Sequence, residues 1–310
     1  NQRGVSEELR ERIKAMATEM GYQAPGSQVA SKRAVNIGVL VQERYLGNGS
    51  SFYWRLYQEL AVACAAHNCL LAFCVLKPGE EKNIEIPVMI SDHRVDGLIV
   101  MGEISRAYLR KLEKEAGMPM IFLDFYAAEF DVDCVISNNF YGMYTATRHL
   151  VKKGHKKIAY VGSVKSNSSI ADRYFGYLKA VRQYGLEERA DWIVEDRVPG
   201  TMEIIEPKLP KDMPTAFVCN CDQTASMLIH ELESNGYRVP EDVSVVGYDN
   251  FLFMPVCDIA ITTYGVDMPE MAKAAAERII ARVKGLDKGP GRLSIISGNL
   301  IDKESVRALI

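Results

Sequence analysis

Hydrophobic residues change their spacing along the chain at about position 34. Before that point they recur at the interval of one helical face, at Val5, Leu9, Ile13, Met16 and Met20. Ser6 can cap the start of such a helix and Gly21 can end it. The pattern predicts an amphipathic helix over residues 5–20, followed by a polar linker over 23–33 that contains Pro25 and Gly26.

From Ala34 onwards, short and nearly continuous apolar runs alternate with helical stretches. The first four runs are residues 35–41, 70–75, 97–101 and 119–123. A helix is predicted over 52–67, because Leu56, Leu60 and Cys64 fall on one face. Apolar strands that alternate with amphipathic helices are typical of a parallel sheet covered on both faces.

The same alternation restarts after residue 140. Helices are predicted at 141–153, 169–184 and 223–235, and strands at 157–162, 215–219 and 243–248. Another covering helix is predicted at 268–284. The pattern therefore predicts two doubly wound α/β units of similar size, and the sequence shows no short-period repeat.

Composition narrows the possible classes of function. The chain has 310 residues, 48% of them apolar, and no apolar run approaches the roughly 18 residues of a membrane span. We see no N-terminal signal segment and expect no membrane partner. The seven cysteines lack zinc-like spacing, which favours a reducing cytoplasm. Binding to the nucleic-acid backbone needs a concentrated basic surface, which a chain of net charge -3 does not offer as a whole. Any DNA contact must therefore come from a small separate element.

Sequence motifs of enzymes are missing from the chain. It has no dinucleotide-binding glycine fingerprint, no phosphate-binding loop, no nucleophile elbow and no zinc-protease motif. We therefore expect no catalytic residue, no metal ligand and no cofactor. His155 precedes a predicted strand, and we interpret it as a solvated or capping histidine rather than a catalytic one.

Carboxylates follow three of the predicted strands, at the edge where open α/β sheets bind ligands. Asp124 follows the strand at 119–123, Asp222 follows that at 215–219, and Asp249 follows that at 243–248. Each could instead serve as a turn residue or a helix cap, and Asp222 stands directly before a predicted helix. The spacing alone leaves both interpretations open.

An arginine and two aromatic residues complete the candidate site. Arg173 falls in the first turn of a predicted helix, where the helix dipole disfavours a cation, so a partner must hold it. Asp172 could be that partner, or a ligand with paired hydroxyls or a carboxylate. Phe52 and Tyr53 open the first helix of the core and suit either ordinary packing or stacking on a sugar.

These segments together resemble the LacI/GalR repressor family across essentially the entire chain. The resembling segments are residues 5–22 (the third helix of the DNA-reading head), 36–41 (the first strand of the core), 95–99, 154–162, 239–249 and 261–263. The segment from Val239 to Asp249 carries the most specific match, whereas that from Val95 to Ile99 alone would be weak.

The resemblance implies an α/β fold of two parallel-sheet subdomains joined by three crossovers, as in type I periplasmic binding proteins, preceded by the remnant helix of a helix-turn-helix head. The implied organisation is 1–22 head remnant, 23–33 hinge, 34–137 plus 266–290 N-terminal subdomain, and 138–265 plus 291–310 C-terminal subdomain. The crossovers are expected near 137–139, 264–266 and 289–293. The first two head helices, including the recognition helix, are expected before Asn1.

The resemblance also implies residue roles. Effector contacts are expected at Phe52, Tyr53, Asp124, Arg173, Asn220, Asp222 and Asp249, and hinge contacts to DNA at Val29, Ala30, Lys32 and Arg33. Asp222 matches a typical family aspartate that we interpret as more structural than ligand-touching. Asn220 stands one residue before the position of the usual family amide and would reach the cleft only if the turn differs.

Three departures from the family pattern affect these expectations. Cys221 replaces a usual asparagine and Val266 a frequent glutamine, so the pocket is less polar and a simple monosaccharide is less favoured. The hinge lacks the leucine that family members insert into the DNA minor groove and is about two residues short. Minor-groove insertion is therefore open.

The function implied is a cytoplasmic, homodimeric transcription regulator, acting as a repressor, that binds operator DNA and a small effector, with saccharide favoured by fold analogy. A disaccharide, a phosphorylated metabolite or a nucleobase remain alternatives. A sugar-binding receptor for transport or chemotaxis would share the core but would need an export signal and no DNA-reading head. An enzyme on the same sheet would need a nucleophile, metal or cofactor that no motif assigns.

Overall fold

The computed structural model describes residues 34–47, 51–199 and 201–309, together with Arg12 and Met16. The chain divides into a unit of residues 1–34 and a unit of residues 35–310. Arg12 and Met16 are both helical, within the helix predicted over 5–20. The rest of that helix and the predicted hinge contacts at Val29, Ala30, Lys32 and Arg33 lie outside the described residues.

Two six-stranded sheets form the larger unit. Its strands are β1 (Val35–Gln42), β2 (Cys69–Leu76), β3 (Gly97–Met101), β4 (Met120–Leu123), β5 (Asp133–Ser137), β6 (Ile158–Val161), β7 (Ile193–Val194), β8 (Ala216–Cys219), β9 (Ser244–Asp249), β10 (Thr262–Gly265), β11 (Leu293–Ile296) and β12 (Asn299–Ile301). The first sheet has the order β11-β5-β4-β3-β1-β2, and the second has the order β12-β10-β9-β8-β6-β7. Neighbouring strands are parallel except β10 and β12, which pair antiparallel.

Helices cover both faces of each sheet. In the described part of the chain they are α1 (Phe52–Ala66), α2 (Pro78–Asn83), α3 (Val88–Ser91), α4 (Arg106–Ala116), α5 (Asn139–Lys152), α6 (Ser168–Gln183), α7 (Asp222–Ser234) and α8 (Met268–Val283). Single turns of 3-10 helix lie at Glu43–Tyr45 and Ala190–Trp192. None of the helices within the described ranges is long and apolar enough to span a membrane.

The nearly continuous apolar runs arise because both sheet faces are buried. In β1, Ile37, Val39 and Val41 pack into the core under α1 and α8, whereas Leu40 packs into the core on the opposite face. Alternate residues of a strand point to opposite faces, so a strand buried on both sides needs apolar residues at successive positions. The predicted fold of two doubly wound parallel sheets is confirmed.

The chain passes between the two sheets three times. It crosses after β5, between β10 and α8, and between β11 and β12. Our third boundary, at 289–293, is too early, because Leu293–Ile296 pairs in parallel with β5 and so extends the first sheet. We call residues 35–137 with 266–296 the first lobe, and residues 138–265 with 299–309 the second lobe.

Candidate functional site

A cavity of about 290 Å³ lies between the two lobes, at the carboxyl ends of their strands. Asp124 follows β4, Asn220 follows β8 and Asp249 ends β9, so both sheets deliver polar groups to it. The predicted residues that line it are Phe52, Tyr53, Asp124, Arg173, Asn220 and Asp249. Its volume is near the lower end of the roughly 300–1,000 Å³ of ligand pockets, which suits a small ligand.

The first lobe contributes an aromatic wall and a carboxylate. Ser51 caps α1 by accepting a hydrogen bond from the Trp54 backbone at 3.1 Å, which fixes the helix start that carries Phe52 and Tyr53. The Tyr53 hydroxyl donates to Asp124 Oδ2 at 2.7 Å. The Phe52 ring meets that of Phe251, from the second lobe, edge-on at 6.4 Å. Aromatic faces from both lobes therefore border the cavity.

Asp124 keeps one carboxylate oxygen unused. It is buried, and its Oδ1 has no hydrogen-bond partner among the described residues. Burial raises the pKa of this carboxyl, while Arg173 opposes the rise. Its backbone φ of 66° is uncommon for a residue other than glycine. Strain and an unsatisfied buried oxygen at one residue are typical of ligand sites.

Arg173 is held in the second lobe by groups other than Asp172. Its Nε donates to Asn139 Oδ1 at 2.8 Å and its Nη1 to the Asn220 carbonyl at 2.7 Å. The guanidinium also lies 4.0 Å from the ring centre of Tyr248. Asp172 instead accepts from the Tyr126 hydroxyl at 3.3 Å, across the cleft, so of the two partners that the sequence allowed for Arg173, Asp172 is not the one that holds it.

Asp249 and Asp222 take different places although both follow strands. Asp249 lines the cavity with a φ of 88°, and its Oδ1 accepts from the Phe251 backbone at 2.9 Å. Asp222 begins α7, is buried, and does not reach the cavity. A Cβ on Gly247 would lie 1.9 Å from Asp222 Oδ1, so the carboxylate occupies space that the glycine leaves on β9. Asp222 therefore packs behind the cavity instead of lining it, in agreement with our structural interpretation of this residue and in contrast to the effector contact expected for it.

The side chain of Asn220 forms its hydrogen bonds with other residues of the second lobe. Its side chain is completely buried and donates to the Val161 carbonyl at 3.2 Å and to Asp196. Its Oδ1 accepts from Arg197 at 3.1 Å. Asn220 thus links the two arginines of the second lobe, since its carbonyl holds Arg173 and its side chain holds Arg197.

Sequence reasoning missed Arg197, which lines the same cavity and is 6% exposed. It lies in an irregular segment after β7, a strand of two residues that is too short to produce an apolar pattern.

His155 lies outside the cavity and is buried, with its ring nitrogens 3.0 Å from Thr215 Oγ1 and 3.2 Å from the Arg307 carbonyl. It is therefore a structural residue and not the solvated one that was one of our interpretations.

Burial of Asp249 predicts a dependence of stability on pH. Burial raises its pKa to about 7, while Arg173 opposes the rise. An unfolded aspartate titrates at about 3.9. Between these values the folded chain holds a proton that the unfolded chain releases. The free energy of unfolding should therefore fall as the pH rises from about 4 to about 7, by at most about 1.4 kcal/mol per pH unit.

Urea denaturation at pH 5, 6 and 7 measures this slope. Asp249→Asn should flatten it, although Asp222, whose pKa is also raised by burial and by Asp249, retains part of the effect. Exposed Asp258 is the control, because Asp258→Asn should leave the slope unchanged. Equal slopes in the wild type and Asp249→Asn would contradict the prediction.

The known proteins similar to this chain are transcription regulators, and the family model that matches it is a periplasmic binding protein-like domain. Residues 147–306 match the model of the periplasmic binding protein-like domain. The HTH-type transcriptional repressor PurR of Aliivibrio salmonicida is 29% identical over 289 residues, 91% of this chain and 85% of that protein. A complex of the transcriptional regulator CelR with cellobiose is similar in structure, with a TM-score of 0.74, 21% identity, and 97% and 91% of the two chains covered. The lac repressor dimer bound to operator and the anti-inducer ONPF has a TM-score of 0.72, 19% identity, and coverage of 99% and 92%.

Proposed function

Because the chain belongs to the periplasmic binding protein-like family, and within it to the LacI/GalR regulators, we propose that it is a repressor of transcription that responds to a small effector. The observation that supports this most directly is the cavity between the lobes, which takes side chains from both of them. A ligand there contacts both lobes at once and so favours one relative orientation.

The proposed effector is a small saccharide. The cavity combines aromatic rings, at Phe52 and Phe251, with groups that can bind paired hydroxyls, at Asp124, Arg173 and Asp249. A volume of about 290 Å³ favours one sugar ring over two, although the departure at Cys221 had made a simple monosaccharide less favoured. The structurally similar regulator CelR was solved with cellobiose, which supports the saccharide class.

Direct contacts between the lobes supply the coupling. Glu103, which follows β3 in the first lobe, accepts at Oε2 from the Ser168 backbone N–H at 2.9 Å, at the start of α6 in the second lobe. Ser169 Oγ donates to the Asp124 carbonyl at 3.3 Å. Since these contacts adjoin the cavity, effector and closure of the lobes stabilise each other, and the arrangement of the lobes biases the DNA-binding head.

An apolar surface on α1 and β2 supports the proposed homodimer. Val62 and Leu70 are 69% and 63% exposed. On the same helix and strand, the rings of Trp54, Tyr57 and Phe73 contact one another, with centroid distances of 4.5 to 5.6 Å. A second copy of the chain would cover this surface. The lac repressor relative is a dimer on its operator, so a dimer reading two half-sites is proposed here too.

The experiment that tests the function uses the full-length dimer and DNA from its own promoter region. A screen of mono- and disaccharides by thermal shift first finds a ligand that raises the melting temperature. That ligand should change operator affinity by about 5- to 150-fold, a coupling of about 1–3 kcal/mol, and operator should change ligand affinity by the same factor. Operator binding that ignores a ligand shown to occupy the cavity would refute the proposed function.

A further inference from the structure

We propose that the effector carries a carboxylate, which Arg197 binds at the second-lobe end of the cavity. This inference rests on the proposed function and narrows the saccharide class to sugar acids, such as a uronate. Two observations support it: the hydrogen bonds that hold one side of Arg197, and the absence of an oxygen acceptor for the other side of its guanidinium among the described residues.

Hydrogen bonds to residues of the second lobe hold one side of Arg197 in place. Its backbone N–H donates to Ser163 Oγ at 2.9 Å. Its Nη1 donates to Asp196 Oδ2 and, at 3.1 Å, to Asn220 Oδ1. Asp196 is itself completely buried and accepts from the Ser163 backbone at 2.8 Å and from Thr224 Oγ1 at 2.6 Å. The guanidinium is thus positioned before any ligand arrives.

The other edge of the same guanidinium has no oxygen acceptor in the described part of the chain. Nε is buried without a partner, and Nη2 contacts Cys221 Sγ at 3.8 Å, a weak acceptor. Nε and Nη2 lie side by side and point in the same direction. Two coplanar oxygens of a carboxylate match this edge with two parallel hydrogen bonds, whereas a single sugar hydroxyl fills half of it.

The charge of the cavity also favours an anion. Arg173 and Arg197 are permanently charged. Burial would raise the pKa of Asp196, but Arg197 and the hydrogen bond from Thr224 hold it below its ordinary value, so Asp196 stays ionised and balances one arginine. Burial raises the pKa values of both Asp124 and Asp249, which favours their uncharged forms and so reduces the negative charge that faces the second arginine. A carboxylate on the ligand would neutralise that arginine.

The start of α6 adds to this preference. Asn167, Ser169 and Ile170 line the cavity, and they lie at the N-terminal end of α6, where the helix dipole attracts negative charge. Glu103 already occupies the Ser168 N–H from outside the cavity. The helix therefore provides a favourable field for a carboxylate, and Arg197 provides the specific contact.

The experiment compares matched sugars on the full-length protein by thermal shift and calorimetry. The probes are D-glucose, D-galactose and D-mannose, each with its uronate and aldonate. We expect one of the acids to bind at least tenfold more tightly than its neutral parent. Arg197→Met should remove that preference, by lowering affinity for the acid at least tenfold and changing affinity for the parent little. Arg197→Lys keeps a positive charge beside Asp196, which protects folding. Lysine lacks the paired Nε and Nη2 donors, so this variant should also bind the acid at least tenfold more weakly.

A matched control is Arg182→Met, because Arg182 also pairs with a carboxylate, Glu188, but on the exposed side of α6. It should keep the full preference for the acid. Equal binding of acid and parent, or a preference that survives both Arg197 variants, would overturn the carboxylate while leaving a saccharide cavity intact. Absence of binding by every probe to folded protein would overturn the saccharide effector and the carboxylate together.

Discussion

Arg173→Ala is expected to weaken effector binding by about 10- to 150-fold, the loss that corresponds to a charge-assisted hydrogen bond of about 1.5–3 kcal/mol. The guanidinium lines the cavity and is fixed by Asn139, by the Asn220 carbonyl and by the Tyr248 ring. It therefore loses little conformational freedom when a ligand binds, so its hydrogen bonds to the ligand contribute almost fully to the binding free energy.

The measurement is isothermal titration calorimetry with the ligand identified by thermal shift. Lys179→Ala is the control, because Lys179 is a cation on the same helix with an exposed side chain. The alanine at 173 also leaves Asn139 Oδ1 and the Asn220 carbonyl without this donor, so the melting temperature should fall as well. Affinity close to wild type in a folded Arg173→Ala protein would show that the effector binds elsewhere.

The residues predicted correctly to line the cavity share one physical feature. Asp124 directly follows the apolar strand β4 and Asp249 ends β9, and strand ends at one edge of a parallel sheet must converge. Phe52 and Tyr53 open α1, whose periodicity is clear from the sequence. Such positions can be predicted because the local apolar pattern determines which strand or helix forms. The placement of that strand or helix then determines where the residue at its end lies.

The errors have a different origin, which is the path of the chain between elements. Asp222 follows a strand as Asp249 does, but it turns toward Gly247 because the space there is free. Arg197 reaches the cavity from a segment whose strand is two residues long. The placement of β11 was missed because Leu293 and Ile295 are about half exposed at the sheet edge, so the strand lacks the burial pattern of the inner strands. Tertiary packing, rather than local propensity, decides each of these cases.

The contact between α5 and α6 connects packing to the site. Asn139 begins α5, and its Oδ1 receives the Arg173 Nε of α6 at 2.8 Å. One turn further along α6, Gly176 lies against the α5 backbone: a Cβ there would be 2.1 Å from the Phe140 carbonyl oxygen. The absence of a side chain at Gly176 thus permits the close helix approach that places Arg173 beside Asn139.

Gly176→Ala should therefore damage both stability and binding. The added methyl group meets backbone, which cannot rotate away as a side chain can, so the helices must separate at a typical cost of about 1–3 kcal/mol. This corresponds to a decrease in melting temperature of about 2–12 °C for a domain of this size. Separation also stretches the Arg173–Asn139 hydrogen bond, so effector affinity should fall together with stability.

Scanning calorimetry and ligand titration of Gly176→Ala measure the two effects. Gly79→Ala is the matched control, since Gly79 is also helical, in α2, and its added Cβ would have no neighbour within 4 Å in the described structure. Alanine is the better helix former, so this control should be as stable as wild type or slightly more so. If Gly176→Ala melted and bound effector as the wild type does, the close approach of α5 and α6 would not be what positions Arg173.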